Sequence, residues 1–240
     1  MTYQTYIKFC LKELNKNKSK IMKVFFTIFI SLLIFSSVTS LKNSIQSEIK
    51  NNSKILLGGD LELATKNKPL NLNFLEKLKE NYSITEIVEF TTILRANNKD
   101  SKAIRIKAID NFYPLVGEVK VNPPDALITL KKNPNTILIE KSTKINLNLS
   151  LGDKVKIQNT SFEVVGFIDS LPDIGGFFLF GDQAIINKLS LSDLKINNLG
   201  TFMSFKYKLI AKDNNQETQN KIKEKENFVI KYPEDVSENL

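Results

Sequence analysis

Hydrophobic and polar positions divide the chain into one uniformly apolar stretch and a longer region of alternating pattern. Val24 to Leu41, VFFTIFISLLIFSSVTSL, is eighteen residues without a formal charge. At 1.5 Å rise per residue such a helix is about 27 Å long, close to the ~30 Å hydrocarbon core of a bilayer. The pattern predicts a transmembrane helix over 21–41, with Lys23 placed to snorkel towards the headgroups. A buried soluble helix and a cleaved signal peptide share parts of this grammar. The run exceeds the usual signal core, and Ser37-Val38-Thr39 is a weak match to a cleavage site, so the anchored reading is adopted.

On either side the period changes. Tyr6, Cys10 and Leu14 lie four apart with Ile7 and Leu11 beside them, predicting a cytoplasmic amphipathic segment over 1–20. Ile45, Ile49 and Leu56 fit a helical stalk over 42–57, which Gly58-Gly59 would end. DLELAT (60–65) reads as a strand. Asn71 caps a helix in NLNFLEKLKE, and 84–94 is β-branched. In AIRIKAI (103–109), Ile104, Ile106 and Ala108 alternate with Arg105 and Lys107. TILIE (136–140), DKVKI (153–157) and SFEVVGFI (161–168) are further strands, and DQAIINKLS (182–190) looks helical. TFMSFKYKLIAK (201–212) is a strand, with Phe202, Ser204, Lys206 and Lys208 opposite Met203, Phe205, Tyr207 and Leu209, followed by a polar helix near 216–225 and a strand in FVIKY (228–232).

These elements predict an α+β fold. Residues 58–118 and 201–234 form one discontinuous α+β subdomain resembling a split βαβ sandwich, and a β-rich subdomain over 119–200 is inserted into it.

Charge sharpens the membrane reading. Of the formal net charge of +8, six lysines and one acid in residues 1–23 supply +5. Basic residues before a single helix place the amino end in the cytoplasm and the bulk outside it. The basic character sits at one end, so no extended nucleic-acid surface is expected. The chain has no histidine and a single cysteine, Cys10, read as an apolar contact. Histidine-based acid–base chemistry, Ser-His-Asp systems and histidine-containing zinc sites are excluded, and no cofactor or catalytic activity is expected.

Gly58-Gly59-Asp60 invites comparison with a phosphate cradle. Such cradles run strand, glycines, helix; here the predicted order is the reverse, and GxGxxG spacing is missing. Asp60 is expected to fix the turn, and Asp110 and Asn111 to begin another, with Tyr113 a partly buried ring. Glu140, Glu163, Asp169 and Asp173 match no metal loop. LPDIGGFFLF (171–180) concentrates Phe177, Phe178 and Phe180 after a Gly-Gly pair. It reads either as a core strand or as a loop presenting aromatics to a partner or hydrophobic cargo. Those three residues and Tyr113 are the candidate contacts.

Several passages carry a resemblance. ILLGGDLEL (55–63), IKAIDNFYPLVGEV (106–119), LSLGDKVKI (149–157), SFEVVGFIDSLPD (161–173) and FFLFGDQAII (178–186) follow in order after the apolar helix. Together they resemble ABC-transporter permeases of the FtsX/MacB-like superfamily, and more narrowly its YbbP-like branch. The resemblance implies a MacB-like periplasmic core domain behind a first transmembrane helix in a bacterial inner membrane. It also implies a cytoplasmic ABC ATPase as partner, with further permease helices or a second permease copy. Members of that branch are several times longer, so 235–240 is expected to open a second stalk, and the chain to be a fragment or half of a permease. The alternative expectation is a stand-alone, membrane-anchored interaction module.

Overall fold

The computed structural model describes residues 12, 16–96, 100–173, 182–194, 202–212 and 228–238. Residues up to Glu48 form one unit and those from Ile49 another. The helix α1 runs unbroken over Lys18–Asn51, and none of its side chains is buried. The hydroxyls of Thr27, Ser31 and Thr39 each donate to the carbonyl four residues back at 2.9 Å. The apolar run therefore carries these hydroxyls without leaving their donors unpaired. Among the described residues, α1 is the one helix long and apolar enough to cross a membrane. The amphipathic segment expected over 1–20 lies largely outside the described residues.

After α2 (Ser53–Leu57) come β1 (Leu61–Lys66), α3 (Leu72–Asn81), β2 (Tyr82–Arg95), β3 (Ser101–Ile109) and β4 (Lys120–Asn122). Then follow α4 (Ala126–Lys132), β5 (Thr136–Glu140), α5 (Lys141–Asn146), β6 (Lys154–Ile157), β7 (Thr160–Ser170) and β8 (Gln183–Asn187). A 3₁₀ turn (Lys188–Leu191), β9 (Ser204–Ala211), β10 (Val229–Lys231) and α6 (Pro233–Glu238) complete the described elements. The strands are ordered β10-β1-β9-β2-β3-β8-β5-β7-β4, with β6 bridging β2 and β7.

That bridge curls half of the sheet into a ring, β2-β3-β8-β5-β7-β6 and back to β2. Strand alternation sends Phe90, Leu94, Ile106, Ile139, Phe162 and Val164 inside, each no more than 3% exposed. On the outside, α4 lays Ala126 and Leu130 against Ile87, Ile109, Leu138 and Ile185. Gly166 permits that approach, because a Cβ there would come 2.5 Å from the Ala126 Cβ. In the open half of the sheet, α3 packs Leu75 and Leu78 over Leu61, Leu63, Tyr207 and Leu209. Asn71 caps α3 as expected, accepting from the Asn73 N–H at 2.9 Å.

The strand order sets β10, β1, β9, β2 and β3 side by side, and the parallel pairing of β3 with β8 continues the ladder into the strands of 119–200. The barrel draws β2 and β3 from the segment before them. The helix expected over 182–190 is instead β8 and a 3₁₀ turn. Ala184, Ile185 and Ile186 are all buried because β8 lies between β3 and β5 with both faces covered. A continuous apolar run of this length suits a two-sided strand. The helices α4 and α5 were not legible as such, and the helix expected near 216–225 lies outside the described residues.

Truncating the barrel interior with Ile106→Ala is expected to cost about 2–5 kcal/mol. Leu72→Ala, at a position 76% exposed, should stay within about 0.5 kcal/mol. Urea denaturation of the detergent-solubilised chain measures both.

Candidate functional site

The chain enters the core through a joint whose construction starts with two glycines. Gly58 ends α2 at φ 80, and its N–H reaches the Lys54 and Ile55 carbonyls. This is the left-handed helix stop that glycine adopts without a Cβ penalty. Gly59 lies against β9, where a Cβ would come 2.7 Å from the Leu209 carbonyl oxygen. Asp60 then sews the turn to β9, its N–H donating to the Leu209 carbonyl at 2.8 Å and its carboxylate accepting from the Ala211 N–H at 3.1 Å. Lys54 pairs with the same carboxylate at 2.8 Å. The observed order is helix, glycines, strand: a mechanical joint and not a phosphate cradle.

Beneath the joint one sheet face carries charge across five strands. Register sets Glu62 on β1 opposite both Lys208 on β9 and Lys231 on β10. Glu89 on β2 lies opposite Lys107 on β3. Lys208 donates to Glu62 and to the Leu57 carbonyl at the end of α2, and Lys206 reaches Glu89 at 2.7 Å. Lys107 donates to both Asp173 oxygens at 2.6 Å. The Tyr113 hydroxyl donates to Asp173 at 2.6 Å and accepts from Lys107 at 3.1 Å. The ammonium also stands 4.7 Å from the Tyr113 ring centroid.

Glu62, Lys107, Tyr113 and Lys208 are each no more than 5% exposed. Charges this deep persist only when paired. Burial alone would raise the Asp173 carboxyl, yet Lys107 and Lys208 outweigh it and hold the group below its usual range. Burial likewise opposes ionised Glu62 and Glu89, and the neighbouring lysines again win, with both carboxyls held low. Burial, then Asp173, pushes the Tyr113 hydroxyl well above its ordinary value, so it stays a proton donor.

The covering segments converge on α2. A Cβ on Gly58 would stand 3.0 Å from the Asp173 Cβ. One on Gly117 would fall 2.5 Å from Pro172 and 3.1 Å from Ile55. Asp110 fixes the loop that delivers Tyr113, accepting from the Phe112, Tyr113 and Glu86 N–H groups at 3.0, 3.2 and 2.8 Å. The C-terminal α6 packs on α2 as well. Among the described residues no group of three or more His, Cys, Asp or Glu is placed to hold a metal ion.

A family model described as the MacB-like periplasmic core domain matches residues 24–225. The chain belongs to that family. The periplasmic region of MacB from Actinobacillus actinomycetemcomitans superposes with a TM-score of 0.52 at 18% identity, over 77% of this chain and 96% of that one. This likeness shows the fold. The extracellular domain of the noncanonic ABC-type transporter YknZ from Gram-positive bacteria gives a TM-score of 0.46 at 13% identity, over 66% and 86%. In sequence, the uncharacterised ABC transporter permease YbbP of Escherichia coli K12 is 21% identical over 176 residues, 73% of this chain. The chain spans about a fifth of that curated relative's length, 21%. Its apolar helix and MacB-like periplasmic core domain together support a membrane location with periplasmic bulk.

Within this MacB-like core, Tyr113 is buried at 2% exposure and its hydroxyl is turned inward to Asp173. Phe177, Phe178 and Phe180 lie outside the described residues. Sequence reasoning put Lys107, Lys206 and Lys208 on the polar face of their strands. The alternation is correct, but that face is covered at Lys107 and Lys208. No local signal marked Glu62, Lys107 and Lys208 as buried, because the strand order and distant loops decide which face is covered.

Lys107→Met should destabilise the core by about 3–5 kcal/mol, since it leaves Asp173 buried without its cation. Adding Asp173→Leu should recover much of that loss in the same urea titration. Glu62, Glu89 and Asp173 titrate lower in the fold than in the unfolded chain, so in acid the unfolded chain binds more protons. Their contribution is complete above the ordinary carboxylate range, about pH 4, and is lost as pH falls through the folded values. Thermal midpoints measured from pH 7 down to pH 3 should drop most steeply at the acid end.

Proposed function

We propose that this chain is the membrane-anchored N-terminal part of an ABC-transporter permease of the YbbP-like branch. The observation that carries the reading is the extent of the family match, which begins at Val24 inside the apolar helix and runs through the core to residue 225. Helix and core are thus matched as one continuous unit. Six lysines in residues 1–23 support a cytoplasmic amino end in a bacterial inner membrane, with the core on the periplasmic side.

In this reading a separate cytoplasmic ATPase supplies the free energy, and further permease helices or a second copy complete the membrane part. The role of this chain is transmission for export or another envelope process. A displacement of α1 reaches the core through α2 and the glycine joint. There Lys208 holds the last α2 carbonyl, and Asp173 is tied to β3 by Lys107. Coupling requires two states with different contacts, and the buried pairs resist partial states because opening one strands a charge. Phe177, Phe178 and Phe180 are the proposed contacts for a periplasmic partner or hydrophobic cargo. Tyr113 acts from beneath by holding Asp173.

Extraction of native membranes in mild detergent should co-purify an ABC ATPase with the chain. Repeated recovery of the chain without any ATPase would instead favour a stand-alone anchored module. Orientation has its own check through Cys10. In intact cells a membrane-impermeant maleimide should spare Cys10 and label a Leu72→Cys variant carrying Cys10→Ser; the opposite pattern overturns the topology.

A further inference from the structure

The barrel is closed by a short seam. The strands β6 and β2 meet through two residue pairs, Leu94 with Ile157 and Arg95 with Lys156. The first pair points inward and is fully buried at 0% exposure. The second points outward, and both side chains are exposed. Like charges directly opposite in an antiparallel pair, with Cβ atoms about 5 Å apart, are destabilising. Half of the closing contact is therefore repulsive. Among the described residues neither Arg95 nor Lys156 is engaged by a carboxylate.

The register extends this pair into a row. Lys156 stands opposite Ser161 on β7, and Arg95 stands opposite Ser101 on β3. All four are exposed on the outer wall. At about 4.8 Å between strands, the row Ser161-Lys156-Arg95-Ser101 spans roughly 14 Å. Of the acids beside it, Glu163 lies opposite Lys154 and Asp100 precedes Ser101 at the strand end, so neither is in the row. A local rule broken without a compensating contact inside the fold is the kind of position where function is found.

We infer that this row binds a phosphoryl oxyanion. A guanidinium fork and an ammonium side by side present only donors to a ligand with three or more terminal oxygens. The Arg95 fork takes two oxygens and Lys156 a third, at the centre of the row. The bound anion converts the repulsion across the seam into two charge-assisted contacts and locks β6 to β2. A carboxylate, with two oxygens, satisfies the Arg95 fork and leaves Lys156 without an oxygen of its own. The phosphoryl group can be that of a lipid headgroup or of a soluble phosphate. The inference is independent of the permease reading, since it rests on the barrel wall alone.

The test is thermal unfolding of the full chain, followed by circular dichroism. In non-ionic detergent, pyrophosphate added at constant ionic strength should raise the midpoint by about 2–4 °C over chloride if the soluble ligand is bound. In phosphatidylcholine nanodiscs, phosphatidylglycerol should do so if the headgroup is bound. A rise in either arm supports the site and identifies the source. Lys156→Glu should raise the midpoint without ligand, by pairing with Arg95, and abolish the response. Arg95→Ser should abolish the response without that gain, which keeps the test decisive if the first variant folds poorly. No rise in both arms, an undiminished response in both variants, or an equal rise with polyglutamate overturns the proposal.

Discussion

The ion pair between Lys107 and Asp173 is the constraint on which the joint depends. It is the point where the sheet, the loop of residues 110–119 and the segment over Gly58 are tied together. Taking either ion out of water costs several kcal/mol before any pairing. That cost is offset because Asp173 accepts from Lys107 at 2.6 Å and from the Tyr113 hydroxyl at 2.6 Å. The pair thus acts less as a source of stability than as a requirement for one arrangement. Asp173 must sit over Gly58, Tyr113 must lie under it, and the 110–113 turn must hold Tyr113 there. The neighbouring pairs, Lys206 with Glu89 and Lys208 with Glu62, repeat the logic along the same face.

This arrangement explains why the glycines occupy their positions. Gly58 sits under the Asp173 Cβ and Gly59 under the Leu209 carbonyl, so the chain passes from helix to strand with no side chain between it and the sheet. A wider turn would lift α2 away from Lys208, whose ammonium caps the last carbonyl of that helix. Backbone geometry and electrostatics at the joint are therefore one feature, set by two glycines and one lysine.

Much of this was legible from residue pattern, and the reasons for the rest are physical. The apolar run gave α1, and Asn71 with its following leucines gave α3. Alternation gave β3 and β9 because one face of each is apolar whatever covers the other. The same alternation misled about depth: Lys107 has the strand position of a solvated lysine and the environment of a core residue, because coverage depends on loops distant in sequence. Asp173 is 66 residues from Lys107, and no local period can announce such a pairing. The mistaken helix over 182–190 has the same origin, since only the sheet order reveals that β8 has neighbours on both edges. Ring closure by β6 was equally invisible, resting on two residue pairs in a four-residue strand.

The length of β2 has a mechanical meaning. This fourteen-residue strand pairs with β9 over its first half and with β3 over its second, and β6 grips its far end. One covalent backbone thus serves as a shared rail for the open sheet and the barrel. An axial tug applied near Tyr82 loads the ladders in shear, where many hydrogen bonds resist together. Sliding by a single residue would turn every inward side chain of the strand outward. The two halves therefore cannot shift along this rail by small steps: they move as one block or not at all.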